Sequence, residues 1–123
     1  MVAFSESAYE DFLAADDNTP VVMLNLLRFD PNGGRERYFD YLHRAKPILE
    51  RFGAAIIFAG RGLPALTEGD NLGWDFIVLV QYPQRSVFNH MVQDAQYQAV
   101  FQIGASAIAD IVLQPMKPES AVV

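Results

Sequence analysis

The chain has 123 residues, of which 51% are hydrophobic and 20% charged, and its formal net charge is −6 at pH 7. This length and composition predict one globular domain, and the acidic balance argues against a nucleic-acid partner, which would need a positive surface. The chain has no cysteine, which excludes disulfides, thiolate metal sites and cysteine nucleophiles.

Two further absences bear on the compartment. No apolar run approaches the ~20 residues that a membrane-spanning helix needs, and residues 1–7 lack the basic region and apolar stretch of a signal peptide. We therefore expect a cytoplasmic protein without a membrane partner.

The first predicted element is a short helix over residues 5–16, where Ser7 and Glu10 have the spacing of a capping box. Residues 21–29 follow as the first strand. Val21, Met23, Asn25 and Leu27 alternate onto one face, and apolar residues also occupy the other face. Asn25 is thus a single amide in the middle of an otherwise apolar strand.

The remaining elements continue the pattern. The sequence predicts a main helix over 35–52, a strand over 54–60, a loop over 61–73, a strand over 74–82, helices over 85–93 and 95–108, and a last strand over 110–116. The main helix carries one apolar stripe that includes Tyr38 and Tyr41, and it contains Pro47, which should kink it. Pro115 indicates either an edge strand or a strand-end position.

This order is that of the split βαβ, or ferredoxin-like, plan. We predict an α+β protomer, βαββαβ with an antiparallel sheet: residues 1–19 as an extra helix and lead-in, 20–116 as the domain, and 117–123 as a tail. The helices can cover only one face of the sheet, and soluble monomers avoid large exposed apolar patches. We therefore expect a homodimer packed sheet to sheet.

Several short motifs occur in a characteristic order: Asn25-Leu-Leu-Arg-Phe-Asp30, Ala45-Lys-Pro-Ile-Leu49 running into Gly53, Trp74-Asp75 leading to Tyr82-Pro83, and Tyr97. Together they resemble domain-of-unknown-function family 1330 (DUF1330) of the dimeric α/β-barrel superfamily, over roughly residues 20–116. The resemblance implies a dimeric α/β barrel with a small-molecule pocket between sheet and helices in each protomer. The superfamily includes cofactor-independent monooxygenases, small-ring isomerases and haem-binding enzymes.

The chain departs from those relatives at two places. Family members often carry an arginine in the last helix, at the position where this chain has Gly104. Haem-degrading relatives carry a tryptophan and a ligating histidine at places that correspond to the neighbourhoods of Met91 and Phe101. We therefore expect no haem. Neither histidine of the chain has metal-ligand spacing with carboxylates, so we expect no metal or other cofactor.

Asn25 is the best candidate for a catalytic residue. An amide in an apolar strand needs hydrogen-bond partners, because an unsatisfied buried polar group costs about 1–3 kcal/mol. Asn25 either bonds a neighbouring segment or donates to a ligand carbonyl or oxyanion. Both interpretations stay open from the sequence.

Tyr41, Trp74 and Tyr97 are the other candidate ligand-binding residues. Each of them, and Tyr38 as well, is interpreted either as core packing or as the wall of an apolar pocket with a few polar groups. Asp75 is either an exposed carboxylate or a base at the pocket mouth. His43 and His90 lie away from the apolar sides of their helices, so we expect both to face solvent.

The apolar strand faces predict a homodimer, and the resemblance implies a pocket for a small hydrophobic or aromatic molecule in each protomer. If it is an enzyme, which the sequence leaves open, we expect cofactor-independent oxygenation or isomerisation. The alternatives are a non-enzymatic ligand-binding or structural dimer, and a subunit of a hetero-complex.

Overall fold

The computed structural model describes residues 4–120. Its helices are α1 (Glu6–Ala14), α2 (Gly34–Arg51), α3 (Arg85–Gln93) and α4 (Ala95–Ala107). Its strands are β1 (Val21–Phe29), β2 (Ala55–Arg61), β3 (Phe76–Tyr82) and β4 (Ile108–Met116). The predicted elements are all present, and most bounds agree within two residues.

The four strands form one antiparallel sheet in the order β2-β3-β1-β4. The first strand thus lies in the middle, where both neighbours satisfy its backbone. Strand β4 is an edge strand, which agrees with the edge or strand-end position predicted for Pro115, because proline cannot donate to a ladder bond. In register, Asn25 lies opposite Val78 of β3 and Leu113 of β4.

Alternation along the strands separates the two faces of the sheet. Met23, Leu27, Val78 and Val80 lie on the face that the helices cover, and each is at most 7% exposed. Helix α2 packs against α4 on this face, and α3 extends the same layer. The core therefore lies between the sheet and this layer of helices.

The opposite face of the sheet is covered by no helix of the described range 4–120. Two rows of residues cross it: Phe58, Leu79, Leu24 and Gln114 in one row, and Gly60, Ile77, Leu26 and Val112 in the other. Phe58 is 53% exposed. This face is mainly apolar, as the alternation in β1 predicted.

Local differences from the predictions have simple causes. Helix α1 begins one residue inside the predicted range because its N-cap is Ser5, whose hydroxyl accepts from Ala8 N at 3.2 Å; the proposed capping box on Ser7 is wrong. Pro47 does lie inside α2. Helix α2 ends before Gly53, which has φ +75°, a left-handed conformation that glycine adopts without strain.

Candidate functional site

A cavity of about 410 Å³ lies between the sheet and the helices. Strands β1, β3 and β4 form its floor, and residues of α2, α3 and α4 form most of the remaining wall. This volume falls in the range of small-molecule sites in proteins. The cavity is the main candidate for a functional site in the described part of the chain.

Small residues let the elements around this space pack closely. Ala45 of α2 and Gly104 of α4 both line the cavity and are buried. A Cβ atom at Gly104 would lie 2.8 Å from Cδ1 of Tyr41, well inside a normal carbon–carbon contact. Gly104 therefore lets the ring of Tyr41 lie directly against α4.

The wall of the cavity is uncharged. Among the described residues that line it, none is an aspartate, glutamate, histidine, lysine or arginine. Its polar groups are the amides of Asn25 and Gln98 and the hydroxyls of four tyrosines, Tyr38, Tyr41, Tyr82 and Tyr97. Such a wall favours a neutral, mainly apolar occupant, because a buried charge needs an opposite charge or strong hydrogen bonds.

Asn25 lies on the floor of the cavity, and its side-chain amide is held by backbone. Nδ2 donates to Met23 O at 3.1 Å and to Val78 O at 3.3 Å. A primary amide has two N–H donors, so both are engaged. The interpretation of Asn25 as a donor to a ligand oxyanion does not fit this geometry, since that bond would require one of the backbone bonds to break.

Two of the tyrosines are joined by a hydrogen bond. The hydroxyls of Tyr41, from α2, and Tyr97, from α4, are 2.6 Å apart, and either can be the donor. Burial raises the pKa of both hydroxyls above the ordinary tyrosine value. Both side chains are therefore neutral at physiological pH, and one of the two hydroxyl protons is left for another acceptor.

Of the other two tyrosines, Tyr82 was not a predicted site residue, and Tyr38 was interpreted either as core packing or as pocket wall. Burial also raises the pKa of Tyr38 and of Tyr82. The Tyr82 hydroxyl lies 4.0 Å from the sulfur of Met91, a weak contact. Periodicity placed Tyr38 on the inner stripe of α2 and Tyr82 on the inner face of β3, but that pattern does not separate cavity wall from packed core.

The structure brings three of the four predicted ligand-binding residues together: Asn25, Tyr41 and Tyr97 all line the cavity. Trp74 is not among the described residues that line it. It precedes the start of β3, and its ring stacks on the guanidinium of Arg28, 3.8 Å from the ring centroid. Its aromatic surface is thus used in holding the loop before β3.

The charged candidates also lie elsewhere. The Asp75 carboxylate is exposed and accepts from Phe29 N at 2.9 Å, so it caps the end of β1. His43 and His90 are both exposed, as predicted.

In the described range, no three side chains of His, Cys, Asp or Glu are grouped as a metal site would require. No described helix is long and apolar enough to cross a membrane.

Comparison with known proteins bears on the family and the fold. A family model described as "Domain of unknown function (DUF1330)" matches residues 33–114. Comparison with curated proteins gave no match.

Three solved structures illustrate the similarity in fold. Protein RPA0582 of unknown function from Rhodopseudomonas palustris has a TM-score of 0.88 at 26% identity, covering 97% of both chains. A dimeric ferredoxin-like protein of unknown function from Jannaschia sp. CCS1 has a TM-score of 0.62 at 13% identity, covering 80% of this chain and 99% of that one. The hydroxynitrile lyase of Passiflora edulis has a TM-score of 0.66 at 10% identity, covering 84% and 96%. The predicted ferredoxin-like α+β fold is confirmed.

Proposed function

Since the chain belongs to the DUF1330 family, whose description assigns no function, we propose a function from the cavity: the protein is a homodimer that binds one small hydrophobic molecule in each protomer. The observation that carries this proposal is the uncharged cavity of about 410 Å³ between sheet and helices. A purely structural dimer would fill this space with side chains, because well-packed cores leave few voids larger than a water molecule. The cytoplasm stays the expected compartment.

The shape and chemistry of the cavity support a ligand of limited polarity. Phe101 and Leu113 on its wall are 47% and 37% exposed, so an apolar molecule placed against them would remove apolar surface from water. Each Å² of apolar surface buried contributes about 25 cal/mol. The amide and hydroxyl groups on the same wall supply the few polar contacts that orient a ligand.

The open face of the sheet supports the homodimer. Leu24, Leu26, Ile77, Leu79 and Val112 lie on it, and no described helix covers them. A second copy packed on this face would remove these side chains from water. The Jannaschia protein, which has a similar fold, is described as dimeric.

Native mass spectrometry of the purified protein tests the ligand. We expect subunits that carry a small molecule, which denaturation releases. Leu113→Trp should reduce its occupancy, because Leu113 lines the cavity from an edge strand and a larger side chain there occupies ligand space. Gln102→Trp, at an exposed position of α4 outside the described cavity wall, is the matched control. Fully ligand-free protein that also binds no small apolar probe would contradict the proposal.

Light scattering after size exclusion tests the dimer. We expect twice the protomer mass at micromolar concentration, and a monomer for Leu26→Lys, which puts a charge in the middle of the open face. Ala99→Lys, at an exposed position of α4, should leave the dimer intact. A stable monomer formed by the unaltered chain would refute this part of the proposal.

A cofactor-independent monooxygenase or isomerase reaction is the second candidate. The fold itself is compatible with chemistry on small molecules, since the Passiflora lyase shares it. The described cavity wall supplies no carboxylate or imidazole to take a proton and no positive charge to stabilise a carbanion. A substrate would have to lose its proton to water, so turnover is the weaker of the two candidates. Incubation of the released molecule with the protein, followed by oxygen consumption and NMR of the products, tests for turnover; an unchanged molecule leaves ligand binding as the function.

A further inference from the structure

The amide of Asn25 has one polar atom to spare. Its two N–H groups donate to Met23 O and Val78 O, and this fixes the orientation of the amide. If the amide were flipped, Oδ1 would face two carbonyl oxygens at these distances, which is repulsive. The atom left over is therefore the carbonyl oxygen Oδ1, an acceptor.

Oδ1 has access to the space of the cavity. Within residues 4–120, Oδ1 accepts no hydrogen bond. In the same range, every fully buried side-chain nitrogen or oxygen atom has a hydrogen-bond partner. Oδ1 is therefore not sealed in protein. Since Asn25 is partly buried and lines the cavity from the floor, the space that Oδ1 reaches is the cavity itself.

The helical side of the cavity supplies the opposite chemistry. The Tyr38 hydroxyl makes no hydrogen bond within the described range and, by the same reasoning, is not sealed off. The Tyr41–Tyr97 pair leaves one hydroxyl proton free. Both are donors to a ligand oxygen. The cavity thus offers one amide acceptor on the sheet and hydroxyl donors on the helices.

We infer that the cavity selects a neutral hydrophobic molecule bearing a hydroxyl group, an alcohol or a phenol, whose O–H donates to Oδ1 of Asn25. This inference rests on the proposed ligand-binding function and specifies its ligand class. A hydroxyl oxygen can also accept from a tyrosine. A carboxylate or enolate is disfavoured, because its negative oxygen would be repelled by the lone pairs of Oδ1 and no described lining residue carries a positive charge.

Three probes with one ring system test the inference: 2-naphthol, its methyl ether 2-methoxynaphthalene, and 2-naphthoate. Isothermal titration at pH 7 with the full chain should give an affinity about three to ten times higher for naphthol than for the ether, the range expected for one neutral hydrogen bond. The naphthoate should bind more than tenfold more weakly than naphthol.

Asn25→Leu removes the acceptor at similar volume and should bring the naphthol-to-ether ratio within about twofold of one. Gln102→Leu removes an amide at an exposed position of α4 outside the described cavity wall and serves as the matched control, because the ratio should persist there. Equal binding of naphthol and ether by the unaltered protein would overturn the inference and leave the binding proposal standing. Persistence of the ratio in a folded Asn25→Leu variant would overturn it as well.

The comparison of naphthol with the ether on the unaltered protein tests the preference for a hydroxyl group even if Asn25→Leu does not fold. Failure of all three probes to bind, together with ligand-free protein in native mass spectrometry, would refute the proposed function, and the inference with it. Tighter binding of the naphthoate than of naphthol would show that the cavity selects anions, contrary to the inference.

Discussion

Replacement of Gly104 by alanine tests how closely α2 and α4 pack over the cavity. The added Cβ would lie 2.8, 3.0 and 3.1 Å from Cδ1, Cγ and Cε1 of Tyr41. Carbon atoms normally meet at about 3.5–4.0 Å, so the ring or the helix must shift by roughly 0.5–1 Å. Overpacking of this kind costs about 1–3 kcal/mol, while glycine to alanine in a helix returns about 1 kcal/mol.

We therefore expect Gly104→Ala to lower the free energy of unfolding by about 1 kcal/mol, measured by urea denaturation at one protein concentration. Ala105→Gly, at the exposed next position of α4, is the control, and should cost about 1 kcal/mol through helix propensity alone. In a Tyr41→Leu background, Gly104→Ala should become stabilising, because the ring that it meets is gone.

The result that would refute the reasoning is a stabilisation of about 1 kcal/mol by Gly104→Ala in the otherwise unaltered chain. That value is the helix propensity gain with no cost of contact. It would mean that the Tyr41 ring moves freely, and that Gly104 does not set the position of the tyrosine pair.

Three other predictions concern stability. Burial raises the pKa of Tyr82, so the stability that this residue contributes is complete below pH ~10 and should fall above that pH, where Tyr82 ionises in the unfolded chain. In denaturation experiments at pH 10–11.5, Tyr82→Phe should make the loss of unfolding free energy with pH smaller by about 1.4 kcal/mol per pH unit. Arg28→Lys should free the loop before β3 and cost about 1–3 kcal/mol, because the guanidinium bonds Asp110 at 2.6 Å and stacks on Trp74; unchanged proteolysis of that loop would contradict this. Asp94→Ala removes the N-cap of α4, which accepts from Tyr97 N at 3.0 Å, and should lower the melting temperature in calorimetry through a loss of about 1 kcal/mol; an unaltered melting temperature would show that the cap is redundant.

Much of the scaffold could be predicted because it depends on local patterns. Alternation in residues 21–29 and 74–82 and the 3.6-residue stripe in 35–52 each state which side chains face inward, and the structure agrees. Pro115 indicated an edge strand or a strand end, because proline lacks the backbone N–H that a ladder hydrogen bond needs. Capping was less secure, since two serines lie two residues apart and Ser5 caps the helix.

The amino-acid sequence by itself determined the elements, the two apolar faces of the central strand, and Asn25 as the polar exception between them. Only the tertiary structure decided what that exception does. The carbonyl of Val78 that binds its amide lies 53 residues away, and the hydroxyls of Tyr41 and Tyr97 that meet over the same cavity are 56 residues apart. Such distances depend on how the helices settle on the sheet, which no local pattern encodes. For that reason the sequence indicated Asn25 only as a candidate donor. In the fold, both of its N–H groups are engaged by backbone carbonyls, and the atom left free is the acceptor Oδ1.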